Sequence, residues 1–125
     1  MTGASDGVVQ QPAVADYALL SDCHAPALVS RDGSVDWWCL PRFDAEPVCG
    51  RLLGGPDAGF LLLGPAGQAE LVERAYLPGT AVLRTVWQVG ASRLTLTEGM
   101  VSQVKGRLLP STLLVRRMEA TGGSA

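Results

Sequence analysis

Hydrophobic and polar positions alternate along most of this chain, and the alternation breaks every few residues at Gly, Pro or Asp. The clearest case is Val82 to Val89. There Leu83, Thr85, Trp87 and Val89 face one side, and Val82, Arg84, Val86 and Gln88 face the other. Gly90-Ala91-Ser92 then turns the chain, and Arg93-Leu94-Thr95-Leu96-Thr97 repeats the period of two. This predicts a hairpin. A second hairpin is predicted upstream, where Ala27 to Ser30 and Ser34 to Leu40 flank Arg31-Asp32-Gly33.

Other elements follow from the same punctuation. Tyr17 to Leu20 is a short apolar run, and Gly59 to Leu63 reads as a buried strand. Val48 to Leu53 reads as one helical turn stopped by Gly54-Gly55-Pro56. Ala69 to Leu77 has mixed polarity and ends at Pro78-Gly79. Thr112 to Ala120 is a last strand, with Leu114 and Met118 opposite Arg117 and Glu119. No stretch keeps a helical period over ten residues. Short strands between Gly and Pro turns predict an all-β, antiparallel β-sandwich. The last strand runs into Thr121-Gly122-Gly123-Ser124, a turn with no following partner. The expectation is therefore an incomplete sandwich over residues 16–125, preceded by a disordered tail over residues 1–15.

Composition narrows the function. The 125 residues carry a net charge of -2, with one Lys beside nine Arg, so no basic face for nucleic acid is expected. No apolar run approaches the roughly 18 residues of a membrane span. Residues 1–15 have no Lys or Arg and no long apolar core, which does not fit a secretory signal, and a cytoplasmic location is expected. Cys23, Cys39 and Cys49 are odd in number and lack metal-type spacing, so free thiols are expected. His24 beside Cys23 completes no usual zinc pattern, and neither metal nor cofactor is expected.

Candidate chemistry gathers at Trp37, Trp38, Arg42, Phe43 and Asp44. Flat aromatic faces beside planar hydrogen-bonding groups suit a sugar-binding surface. Trp37 and Trp38 are adjacent, so one points into the core and the other away from it. Arg42 can hold a sugar hydroxyl, or it can pair internally with Asp36 or Asp44. Phe43 is expected to insert into a core or a domain interface, and Asp32-Gly33 to be turn chemistry only. The acidic residues are expected in turns or along exposed strands. No two carboxyl groups are placed to flank a glycosidic bond, so no catalytic residue is expected. Phosphate-loop, dinucleotide, zinc-protease and nucleophile-elbow motifs are absent from the sequence.

Several segments in order resemble the N-terminal, trehalase-like domain of bacterial glycoside hydrolase family 15 proteins. They are Asp16-Tyr17-Ala18-Leu19-Leu20-Ser21-Asp22, Ala27 to Trp37, Leu40-Pro41-Arg42-Phe43-Asp44, Arg74 to Thr80 with Val82-Leu83, Leu94 to Met100, and Leu113 to Glu119. The resemblance implies a β-sandwich that packs on an (α/α)₆ barrel. The barrel would hold two catalytic Glu residues and hydrolyse an α-glucoside with inversion, as glucoamylases and trehalases do. It lies outside this sequence, so no activity is expected from this chain alone. The resemblance also implies that the Trp37 to Asp44 loop lies toward the barrel, with an α-glucan or trehalose as a partner. Two other readings stay open: a free-standing carbohydrate-binding module using Trp37 or Trp38, and a truncated, inactive gene product.

Overall fold

The structure is a computed structural model that describes residues 13–21, 25–40, 43–104 and 107–122. Among these residues, nine strands form two antiparallel sheets, so the expected all-β sandwich is present. The first sheet holds β1 (Ala18–Leu20), β2 (Ala27–Val29), β3 (Ser34–Cys39) and β4 (Pro47–Cys49) in that order, with β5 (Leu61–Leu62) beside the first half of β3. The second is a meander of β6 (Glu70–Tyr76), β7 (Leu83–Val89), β8 (Ser92–Val104) and β9 (Arg107–Thr121). Among the described residues, helix is limited to the single turn α1 (Arg51–Gly54) and two 3₁₀ turns at Val14–Asp16 and Pro56–Ala58.

The alternation read at Val82 to Val89 builds β7. Leu83, Thr85 and Trp87 are buried and Arg84 is exposed. Val86 departs from it, at 2% exposed although it faces the outer side. It sits on a central strand between cross-strand neighbours Glu73 and Thr95, which enclose a short β-branched side chain. The main core joins Leu20, Ala27 and Val29 with Val35, Trp38 and Leu83, so it spans both sheets. A smaller cluster of Trp87, Leu94 and Leu96 closes one end.

Three expectations need correction. Val48 and Cys49 belong to β4, and the helical turn begins only at Arg51. Cys49 pairs with Trp38 across the ladder and enters the core, which holds this segment extended. The strand expected at Gly59 to Leu63 is shorter and is not buried: Leu61 and Leu62 are 46% and 56% exposed. It flanks only the start of β3 and covers nothing on its outer side. Asp36 and Glu98, expected in turns or exposed strands, are 0% and 1% exposed. Of the expected tail, residues 1–12 lie outside the described residues, and Val14 and Ala15 begin the first 3₁₀ turn.

Two arginines tie the sheets together. Arg116 on β9 ion-pairs with Glu98 on β8 at 2.7 Å. It also donates to the carbonyls of Leu61 in β5 and of Gly33 in the turn before β3. Arg74 on β6 donates to the carbonyls of Asp16 and Val29. Burial pushes the Glu98 carboxyl up from 4.5, against the pull of Arg116 and Arg74. Burial lowers Arg74. Trp87 adds a third tie, its Nε1–H donating to the Arg31 carbonyl at 3.0 Å. The turn residue Gly33 has φ +89°, and a Cβ there would lie 2.1 Å from the Leu63 carbonyl oxygen. The Tyr76 hydroxyl accepts from Leu19 N–H at 3.1 Å and donates to Leu19 C=O at 2.5 Å. That contact blocks the edge strand β1 from pairing with another chain.

Two predictions follow for urea unfolding. Gly33→Ala destabilises by about 2 kcal/mol or more, because left-handed strain and a backbone clash combine. Arg116→Ala destabilises by about 3–5 kcal/mol, because Glu98 is left buried beside only the more distant Arg74. A third concerns pH. The folded Glu98 binds its proton more tightly than the unfolded one. Its favourable contribution is therefore full below about pH 4.3 and is lost as pH rises through the raised folded value. Glu98→Gln removes this dependence, so its stability relative to the parent chain improves as pH rises above that point.

Candidate functional site

The site begins with a fault in β3. Val29 pairs with Val35, but Leu28 pairs with Trp37, which leaves Asp36 as an extra residue. A bulge of this kind re-aims the side chains around it. Val35 and Trp38 turn inward to the core. Trp37 turns outward and is only partly buried. The two tryptophans therefore do face opposite sides. Trp38 is 8% exposed and supports the sheet from beneath, while Trp37 presents to the surface.

Asp36 also turns outward, yet it is fully enclosed. Tyr17 donates to its Oδ2 at 2.5 Å, and Ser34 Oγ donates to its Oδ1 at 2.5 Å. Arg51 at the start of α1 lies 3.7 Å from Oδ1. The Arg51 guanidinium also sits over the Phe60 ring, 4.6 Å from its centroid. Burial, then the bond to Asp36, hold the Tyr17 phenol well above its ordinary range. The phenol thus stays a donor at every physiological pH. With this set of partners Asp36 shapes the loop and is not positioned as a general base.

Three large apolar side chains of the β3–β4 turn, β4 and α1 are exposed. Phe43 is 72% exposed, Val48 55% and Leu53 80%. Phe43 is therefore not in the core of this chain. Asp44 is exposed beside it on the turn. Arg42 and Pro41 lie outside the described residues, as do Cys23 and His24. Asp36 meets Arg51 here, a partner that the sequence reading did not consider. Arg51 follows Cys49, whose ladder partner Trp38 lies two residues from Asp36, and that pairing is what brings the two charges together. Cys39 and Cys49 are buried free thiols, and burial pushes both upward.

Chemically, this surface can stack on a flat face and bury apolar area. Among the described residues it offers no pair of carboxyl groups across a cleft, and no group of three metal-ligating side chains. No helix among them is long and apolar enough to cross a membrane.

The family model described as "Trehalase-like, N-terminal" matches residues 8–121. A trehalase of Mycolicibacterium smegmatis is 42% identical over 90 residues, covering 72% of this chain and 13% of that protein. A trehalase of Mycobacterium tuberculosis is 41% identical over the same length, with the same coverage. Trehalase 2 of Sulfolobus acidocaldarius is 32% identical over 75 residues. The chain thus spans about 13% of the length of these relatives. No solved structure matches it. With 114 of its residues inside one family model, residues 8 to 121 inclusive, this chain belongs to the trehalase-like N-terminal domain family.

Proposed function

We propose that this chain is the non-catalytic β-sandwich portion of a glycoside hydrolase family 15-like α-glucosidase, of glucoamylase or trehalase type. It docks on an (α/α)₆ catalytic barrel outside this chain, through Trp37, Phe43 and Asp44 with Trp38 as support, and Arg42, which lies outside the described residues, is proposed as a further contact. The observation that carries this reading is the exposure of three large apolar side chains on successive segments of the chain, Phe43, Val48 and Leu53. Exposed apolar side chains of this size fit an interface. The small share of the relatives that this chain covers supports the same reading.

The parent protein would hydrolyse an α-glucosidic bond by general acid and base, inverting the anomeric centre. Trehalose and α-glucans are its proposed substrates. The buried free thiols Cys39 and Cys49 support a reducing compartment, and we place the protein in the cytoplasm. A second reading, a free-standing carbohydrate-binding module, is favoured by one observation: Trp37 faces outward from the sheet.

The test is the mass of the native protein in its source cells, detected with an antibody against this segment. The expected band is several times larger than 13.1 kDa, and the isolated chain releases no glucose from trehalose or maltose. A band at 13.1 kDa would overturn the docking role. The binding-module reading, or an inactive truncated product, would then stand in its place. Sugar-dependent Trp fluorescence of that short form would separate these two.

A further inference from the structure

Most strand edges of the described sandwich are guarded. The edge of β1 is closed by Tyr76, whose hydroxyl accepts from Leu19 N–H and donates to Leu19 C=O. β4 and β5 are only three and two residues long. β6 is broken by a register shift between Leu71 and Glu73. β9 is different. It ends the second sheet, and from Leu113 to Thr121 it pairs with β8 in nine consecutive matches without a shift. Among the described residues no strand lies on its far side. A long, regular edge of this kind is a template for another strand. We propose that this edge pairs with β9 of a second copy of this chain, antiparallel, across a two-fold axis at Met118.

Charge selects both the partner and the register. Leu113, Val115, Arg117 and Glu119 share the outer face of β9 and are exposed, while Leu114, Arg116 and Met118 turn inward. Arg117 and Glu119 lie 3.5 Å apart along the strand, with side chains 74% and 51% exposed. Antiparallel pairing matches residues whose backbone groups point the same way, so a symmetric pair is centred on one residue and not between two. With the axis at Met118, each Arg117 stands directly opposite Glu119 of the other copy, at a Cβ separation of about 5 Å. Moving the axis by one residue sets Arg117 against itself, or Glu119 against itself. Moving it to Arg116 sets Val115 against Arg117 and Leu113 against Glu119. Met118 therefore centres the register in which opposite charges meet on both sides of the axis. A foreign strand would need an acid and a base at the same spacing; a second copy supplies them by symmetry.

The edge is also ordered in advance. Arg116, next to Arg117, is held by Glu98 at 2.7 Å and donates to the Leu61 carbonyl at 3.1 Å, so an incoming strand meets a fixed backbone. The same bond places the exposed β5 beside β9, and its Leu61 and Leu62 add apolar area next to Val115. The strands overlap only from Val115 to Thr121. An interface of that length falls at the low end, below roughly 1,200 Å² in total, so the dimer is weak and reversible. This inference does not rest on the docking role proposed above, because β9 carries none of the residues assigned to that role.

The test is sedimentation equilibrium of the 125-residue chain from micromolar to millimolar concentration, with two variants at exposed side chains. The expected result is a monomer–dimer equilibrium. Arg117→Glu and Glu119→Arg each weaken self-association about tenfold or more, because each sets like charges opposite one another. Mixing the two variants restores the dimer, since an edge with two acids then meets an edge with two bases. A loss of folding would not give that rescue. The β9 amides gain hydrogen-exchange protection only at concentrations where the dimer forms. The proposal is overturned if the chain stays monomeric at millimolar concentration, or if the mixture associates no better than either variant alone. It is also overturned if Phe43→Ser abolishes the dimer while both charge variants keep it. Equal protection of the β9 amides in the monomer would assign the edge to another segment, and would overturn it too.

Discussion

The ion pair between Glu98 and Arg116, with Arg74 beside it, is the constraint on which the rest of this molecule depends. A carboxylate with 0% side-chain exposure is costly on its own. Here it holds the Arg116 guanidinium in the seam between the sheets, and Arg116 and Arg74 reach across to carbonyls of the opposite layer and its turns. Among the described residues, Trp87 and Tyr76 add further polar contacts between the sheets, and together with the arginines they set how the layers sit on one another. The Arg31-Asp32-Gly33 turn is where this becomes visible. Trp87 holds Arg31, Arg116 holds Gly33, and Leu63 closes on the same turn. A segment that reads as ordinary turn chemistry is in fact the point where the two layers join.

Strand periodicity was legible because it depends on local alternation alone. Leu83, Thr85 and Trp87 could be assigned to the core from their spacing. The same spacing places Glu98 in register with Leu94 and Leu96, and so facing inward. A charged residue in a strand nevertheless reads as solvent-facing. Its compensating partner lies 18 residues away, and the carbonyls that complete the arrangement lie on another sheet. Asp36 was misplaced for a different reason. The bulge in β3 cannot be read from a strand's own residues, since it exists only in the pairing of Leu28 with Trp37. The opposite facing of Trp37 and Trp38 was legible, and which one enters the core followed from that bulge.

The two ends of β3 therefore carry different work. At one end the bulge buries Trp38 and Asp36 and turns Trp37 outward. At the other end the same strand begins from a glycine turn locked between layers. The turn needs the sheets held in one fixed relation, because Trp87 and Arg116 reach it from the second sheet, whereas the Tyr17, Asp36 and Arg51 network lies within the first.

The most direct measurement of this dependence is native-state hydrogen exchange, comparing the slowest amides of β2 and β3 with those of β7 and β8. If the buried arginines weld the layers into one unit, both sets open with the same free energy, and Arg116→Ala lowers both together. Exchange in which the first sheet opens well below the second, and in which Arg116→Ala moves only its own sheet, would contradict the account.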